Sequence, residues 1–201
     1  MYDRKDTFYQ RAKTEGYRSR AAYKLLELAR ANRLIRRGDA VLDLGAWPGG
    51  WLQVAAELAG PRGVVVGIDR RPIDDLGLAN VRTFAGDIDD PVVQAAVAAV
   101  RAEPFDVLLS DLAPSLSGVR DRDEAQADVL LDGVLAWASR SLRPGGSLLV
   151  KLFMGPGFEE RRRRLRSAFG TFRLSRPDAT RKGSAEFYGI ARDHRPSAAV
   201  L

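Results

Sequence analysis

The sequence predicts an α/β fold built on an open sheet with helices on both faces, and three observations carry that reading. Short apolar, often β-branched runs alternate with helix-length segments. Several of these runs end in an aspartate or a glycine turn, as strands do when a ligand binds at their carboxyl ends. The 201 residues, 45% of them hydrophobic, suit one domain with a sizeable core rather than two.

Read in order, the chain begins with a basic arm over residues 1–19, in which the sequence shows no evident helix. Arg20 to Arg30 reads as a helix, with Ala22, Leu25, Leu26 and Ala29 at helical spacing and Ser19 as its expected N-cap. Ala40–Leu44 and Val64–Ile68 read as buried parallel strands flanking a helix at Trp51–Leu58. Val81–Phe84 is a third strand, and Pro91–Val100 a helix opened by proline. A strand at Phe105–Leu109 and a long helix at Glu124–Leu142 follow. Arg143-Pro144-Gly145-Gly146 reads as a turn into a strand at Ser147–Leu152. Phe158–Phe169 is a helix, and Thr171–Ser175 and Phe187–Ala191 are the last strands. The expected organisation is the arm, a single domain over 20–195 and a polar tail over 196–201, with the lone histidine, His194, read as part of the polar end.

Composition narrows the chemistry. The absence of cysteine excludes disulfides, thiolate metal sites and cysteine nucleophiles, and suits a reducing cytoplasm. A single histidine makes a zinc site or a histidine-dependent triad a poor expectation. No apolar run approaches the roughly 18 residues of a membrane span, and the N-terminus has no secretory pattern. Charge is segregated. Residues 1–40 hold 11 Lys/Arg against 5 Asp/Glu, residues 159–195 the same, and residues 41–158 hold 10 against 16. Basic ends around an acidic middle suit a polyanion gripped by the termini and a different ligand held at the centre, although basic ends also suit plain solvated surface.

The centre carries a ligand-binding pattern. The first strand runs into Asp43-Leu44-Gly45-Ala46-Trp47-Pro48-Gly49-Gly50-Trp51, and the next ends in Asp69, placed to accept from ribose hydroxyls. The loop is neither Gly-x-Gly-x-x-Gly nor a P-loop, which disfavours a pyrophosphate. Acids at or just past successive strand ends (Asp43, Asp69, Asp87 and Asp111) suit a nucleoside with a positive centre, and S-adenosylmethionine, a sulfonium, meets that description. Expected contacts on the loop are Asp43, Gly45, Pro48, Gly49, Gly50 and Trp51. Those at the later strand ends are Asp69, Asp87, Ile88 and Asp111, with Asp87 toward the adenine amino group.

A second constellation is catalytic. Lys151 closes the apolar strand Leu148-Leu149-Val150, where a lysine has little structural purpose beyond snorkelling. Only 5 lysines stand among 32 basic residues, so a titratable amine here draws notice. Methylating a ribose hydroxyl needs an aligned base, and two ammonium groups in one cleft disfavour double protonation. Lys24, Asp111 and Glu186 are the candidate companions, although taken singly Lys24 and Glu186 read as ordinary surface residues. Candidate phosphate contacts are Arg4, Lys5, Arg11, Lys13, Arg18 and Arg20, with the Arg161–Arg164 run. That run also reads as a solvated helix through i,i+4 pairs Glu159–Arg163 and Glu160–Arg164.

At these residues the sequence resembles the FtsJ-type (RlmE) ribose 2′-O-methyltransferases of large-subunit ribosomal RNA, from about Asp6 to Arg192. The matching stretches are Glu15 to Glu27, the Asp43–Trp51 loop, Leu109-Ser110-Asp111-Leu112-Ala113-Pro114, Leu142 to Gly146, Val150-Lys151-Leu152-Phe153 and Pro177-Asp178-Ala179. The resemblance implies a Rossmann-like class I methyltransferase fold with a mostly parallel seven-stranded sheet. It places a Lys-Asp-Lys-Glu tetrad on Lys24, Asp111, Lys151 and Glu186, with Lys151 as proton acceptor. It implies S-adenosyl-L-methionine as cofactor, with contacts from Gly49, Trp51, Asp69, Asp87 and Asp111. The implied substrate is a uridine in the A-loop of large-subunit ribosomal RNA, modified on the particle by a cytoplasmic enzyme, and a monomer without metal or membrane is expected. Trp47, where a small residue is usual, and Ser115, where Asn is common, depart from the pattern. The alternatives are the same chemistry on tRNA or another RNA, or a non-catalytic RNA-binding ribosome-assembly factor.

Overall fold

The computed structural model describes residues 7–114, 117–180 and 184–196. Among them the elements run α1 (Thr7–Glu15), α2 (Ala21–Asn32), β1 (Ala40–Leu44), α3 (Gly50–Ala59), β2 (Val64–Asp69), β3 (Val81–Ala85) and α4 (Pro91–Val100). There follow β4 (Phe105–Ser110), α5 (Arg120–Ser141), β5 (Leu142–Phe153), α6 (Phe158–Ala168), β6 (Phe169–Ser175) and β7 (Glu186–His194). They form one seven-stranded sheet in the order β3-β2-β1-β4-β5-β7-β6. β1 to β5 are parallel, and β7 runs antiparallel to both β5 and β6. This is the Rossmann-like α/β architecture expected from the sequence.

Strand alternation sorts the core into two layers. Leu42 and Leu44, Val66 and Ile68, Leu108, and Leu148, Val150 and Leu152 turn toward Val93, Val97, Leu131, Val134, Trp137 and Leu165 of α4, α5 and α6. Their neighbours Val41, Val65, Val107, Leu109, Leu149 and Ile190 turn toward α2 and α3. β1 is buried along its whole length, which explains its unbroken apolar run. The period of two also decides where function lies. Asp111 continues Val107 and Leu109, Lys151 continues Leu149, and Tyr188 and Glu186 continue Ile190. All four therefore belong to the α2 side of the sheet.

Four expectations need correction. The arm carries a helix, α1, held by Phe8 and Ala12 against Tyr23 and Ala179, while Tyr9 faces solvent; two inward-facing residues in a nine-residue helix are too few to register as a periodic pattern. Ser19 does not cap α2. Arg20 occupies the cap position without a side-chain bond, and the Ser19 side chain lies against Gly50 instead. Residues 143–146 are not a free turn but an irregular stretch of β5, where the register against β4 shifts and Arg143 pairs with Asp106 at 2.7 Å. His194 is not part of a polar tail. It is buried in β7, stacks on Phe169, and its Nδ1 lies 3.2 Å from the Leu142 carbonyl.

Candidate active site

The order of strands reverses between β1 and β4, and their carboxyl ends are tied there by the Asp111 N–H donating to the Leu44 carbonyl (3.2 Å). Ligands of open α/β sheets bind at such a switch point. The loop leaving β1 turns at Gly45, whose φ of +80° suits glycine and whose Cβ position is filled by Leu112 at 2.8 Å. Gly50 opens α3 with the Ser19 hydroxyl where a side chain would stand, so the loop is braced from behind by the segment before α2. The Pro48 carbonyl, beside Gly49, accepts from Arg18, and Leu76 covers Gly49.

Asp69 ends β2. Its Oδ1 accepts from the Arg71 N–H (2.9 Å) and its Oδ2 from the Trp47 N–H (3.0 Å). An ionised carboxylate offers about four acceptor positions, so each oxygen keeps capacity for a hydroxyl. Asp87 follows β3. The Asp89 N–H holds its carboxyl below the ordinary range against the opposing effect of burial, and Arg70, paired at 2.6 Å, adds to the lowering. Ile88 is buried, its carbonyl accepting from Trp137 Nε1 and Gln94 Nε2. The Trp51 indole is turned inward: its N–H donates to the Ala21 carbonyl (2.8 Å) and its ring meets Tyr188.

Asp43 is the next-to-last residue of β1, fully buried, paired in register with Gly67, and neither carboxyl oxygen has a hydrogen-bond partner among the described residues. Burial pushes its carboxyl well above the ordinary range, and the charges of Asp111 and Asp69 push the same way.

The four candidate catalytic residues converge. Ser110 pairs with Val150, which brings Asp111 beside Lys151, and Lys151 pairs across β7 with Tyr188. Lys151 Nζ makes an ion pair with Asp111 Oδ1 (2.6 Å) and donates to the Asp111 carbonyl (2.9 Å). On α2, Lys24 reaches down to pair with Glu186 and lies 3.4 Å from the Tyr188 hydroxyl, which donates to Asp111 Oδ1 at 2.8 Å. Lys24 is thus a buried residue, not a solvated helix lysine. Burial works to raise Glu186, but its hydrogen bond and charge contact with Lys24, aided by Lys151, outweigh that and hold it below the ordinary range. Burial, then Asp111 and Glu186, push the Tyr188 phenol upward, so it stays a hydroxyl donor.

Tyr188 is the member of this network that sequence reading missed. It joins the Lys151–Asp111 pair to the Lys24–Glu186 pair. Its signal was its place two residues beyond Glu186, on the same face of a strand.

The basic candidates fare unevenly. Arg4 and Lys5 lie outside the described residues, as does Ser115. Arg11 and Lys13 are exposed on α1, Arg11 pairing with Glu15 at 2.6 Å. Arg18 spends its guanidinium on the Asp74 and Asp75 carbonyls (2.6 and 2.5 Å), and Arg20 precedes α2. The Arg161–Arg164 run is corrected. Arg161 is buried and bonded to Glu124 and Asp128 of α5, Arg164 pairs with Asp132, and the intrahelical pairs are i,i+3, Glu159–Arg162 and Glu160–Arg163.

A glycine turn at the switch point, an acid with acceptor positions to spare and a lysine network over the adjoining strands lie together on a Rossmann-like sheet, as in methyltransferases of that fold. Solved structures share that fold. One described as a Plasmodium falciparum ribosomal RNA methyltransferase superposes with a TM-score of 0.80 at 25% identity, covering 90% of this chain and all of the other. The chain belongs to the FtsJ-like methyltransferase family, whose profile matches residues 17–194. A relative from Acidithiobacillus ferrooxidans, named ribosomal RNA large subunit methyltransferase E, is 47% identical over 94% of this chain and 85% of its own length. One of the same name from Methanothermobacter thermautotrophicus is 43% identical over 96% and 91%.

Proposed function

We propose that this enzyme moves a methyl group from S-adenosylmethionine to the 2′-oxygen of a ribose in large-subunit ribosomal RNA. The observation that carries the proposal is the continuous network Lys151–Asp111–Tyr188–Lys24–Glu186, which lies at the switch point with the Gly45–Gly50 loop and Asp69. The residues present fit the donor: Asp69 keeps an acceptor position on each oxygen, Asp87 is held ionised, and the loop is open to a nucleoside rather than to a pyrophosphate. When bound, the donor supplies an electrophilic methyl on a sulfonium.

The chain's own residues do the rest. Lys151 Nζ, in its neutral amine form, accepts the hydroxyl proton and becomes the ammonium that Asp111 pairs, and the Asp111 carboxylate fixes where that amine points. Tyr188 locks Asp111 through its hydroxyl, and Glu186 holds Lys24, which positions the ribose. Alignment of this kind supplies much of a methyl-transfer rate. Asp87 meets the adenine amino group. Arg4, Lys5, Arg11 and Lys13 on the basic arm meet phosphates, so RNA affinity should fall steeply with salt. The finer expectations belong to the same reading: a uridine in the A-loop, modified on the particle, in the cytoplasm, by a monomer.

Turnover with labelled donor on purified ribosomal particles, free ribosomal RNA and free tRNA tests the proposal. Label in a ribose-methylated nucleotide of the large-subunit RNA is the expected result. Label only in tRNA, or in a base, defeats it.

A further inference from the structure

Asp69 is oriented by two backbone N–H groups, from Trp47 and Arg71, and the side chains of those same two residues stack on each other. The Arg71 guanidinium carbon lies 3.5 Å from the centre of the Trp47 ring. The stack is therefore fixed beside the acceptor positions that Asp69 has left. Trp47 is also exposed in a way the other tryptophans are not, at 42% against 3% for Trp51 and 2% for Trp137. Arg71 begins the irregular segment between β2 and β3. That segment is anchored by Arg18 on the Asp74 and Asp75 carbonyls and by Ile73 and Leu76 on the α2–α3 side of the core. Arg71 is thus held over the loop by a fastened strap. It covers one face of the indole and leaves the rest of the ring for contact.

We propose that Trp47 and Arg71 form a clasp over the ribose of the methyl donor and govern how fast the donor and its demethylated product leave. The proposal rests on the reading of Asp69 as the ribose acceptor. A large exposed ring next to a hydrogen-bonding acid gives up its water when a nucleoside enters. Its stacked cation stiffens it, so little side-chain freedom remains to be lost. The backbone N–H of residue 47 is untouched by a side-chain substitution, so Trp47→Ala removes the clasp and keeps the orientation of Asp69.

Stopped-flow binding of S-adenosylhomocysteine and S-adenosylmethionine to the full chain tests it. Trp47→Ala should weaken binding roughly five- to tenfold, almost entirely through faster dissociation. Arg71→Ala should weaken it less, and the double variant should be no worse than Trp47→Ala, because the two side chains act as one unit. In the parent protein, acrylamide quenching of tryptophan emission should fall when S-adenosylhomocysteine binds. That protection should vanish in Trp47→Phe, since the two remaining indoles are buried.

Unchanged dissociation in a folded Trp47→Ala, with Asp69→Ala losing binding, overturns the clasp alone. Unchanged binding in both overturns the ribose assignment and the clasp with it. Weakened RNA affinity with unaltered nucleoside binding shows that the ring serves the RNA, and also overturns the clasp.

Discussion

Two clusters of buried charge sit on opposite faces of the sheet, and they are built from different cations. On the α2 side, Lys24 and Lys151 pair with Glu186 and Asp111, with Tyr188 between them. On the other side, Arg161 of α6 binds Glu124 and Asp128 of α5, and the Gly157 N–H adds a bond to Glu124. In both, burial works to raise a glutamate and a neighbouring cation overcomes it, leaving Glu186 and Glu124 below the ordinary range. The difference is what the cation can do next. A guanidinium keeps its proton and grips two carboxylates in a fixed fork, whereas an ammonium can release a proton. Burial and ion pairing alone therefore do not mark a catalytic site. What distinguishes the α2-side cluster is that its cations are titratable, and that one of them, Lys151, stands near the carboxyl end of a strand at the switch point.

The largest expected effect breaks the symmetry between the clusters. Lys151→Arg should lower single-turnover methylation by about 10²- to 10⁴-fold, because guanidinium cannot accept the proton. S-adenosylmethionine binding should stay close to that of the parent. Arg161→Lys should leave turnover unchanged. A Lys151→Arg variant with the parental rate and pH profile would reduce Lys151 to a positioning group.

On the structural side, Arg161→Ala should cost about 2 kcal/mol of stability in urea unfolding. That is below the usual loss for a fully buried pair, since Glu124 and Asp128 keep 25% and 45% of their side-chain exposure. A loss of turnover beyond the loss of folded protein would tie the α5–α6 cluster to catalysis.

Tyr188→Phe removes one hydroxyl from the network and nothing from the core. Turnover should fall roughly five- to tenfold, the value of one hydrogen bond acting on alignment. The donor dissociation constant should not move. If it does, Tyr188 shapes the donor site rather than the lysines.

The smallest effect concerns Asp43. Its folded carboxyl titrates well above the unfolded one. The penalty for burying it is absent below the unfolded pKa and grows as pH rises toward the folded pKa. Asp43→Asn should therefore gain in melting temperature relative to the parent as pH rises above about 4, the unfolded aspartate pKa. A pH-independent difference would mean that the acid is ionised and paired.

These contrasts also show what the sequence could reveal. The alternation of Val64–Ile68 and Pro91–Val100 carried nearly all of the sheet and its helices, because period and length separate strand from helix. Lys151 was legible because a lysine closing Leu148-Leu149-Val150 is anomalous on its own. Tyr188 was not, since an aromatic in a strand is ordinary core, and only the antiparallel register with β5 puts its hydroxyl on Asp111. Arg161 was misread because its partners lie on another helix, at separations of 33 and 37 residues. The bounds of β1 were legible too, but that Asp43 would be wholly buried without a side-chain partner was not, since burial depends on the strands and loop packed around it.

The strand order β5-β7-β6 has a consequence for how the enzyme is made. β7, which supplies Glu186 and Tyr188, is the last of the seven strands to leave the ribosome, yet it lies between two strands synthesised before it. Domains generally fold as units, so the sheet and the lysine network it carries are complete only once β7 has emerged. A chain stopped before β7 lacks the Glu186 and Tyr188 groups that hold Lys24, whereas Asp111 keeps its ties to Leu44 and Lys151 and loses only the Tyr188 hydroxyl. Completion of the network thus waits on the last strand, which must take its place between β5 and β6.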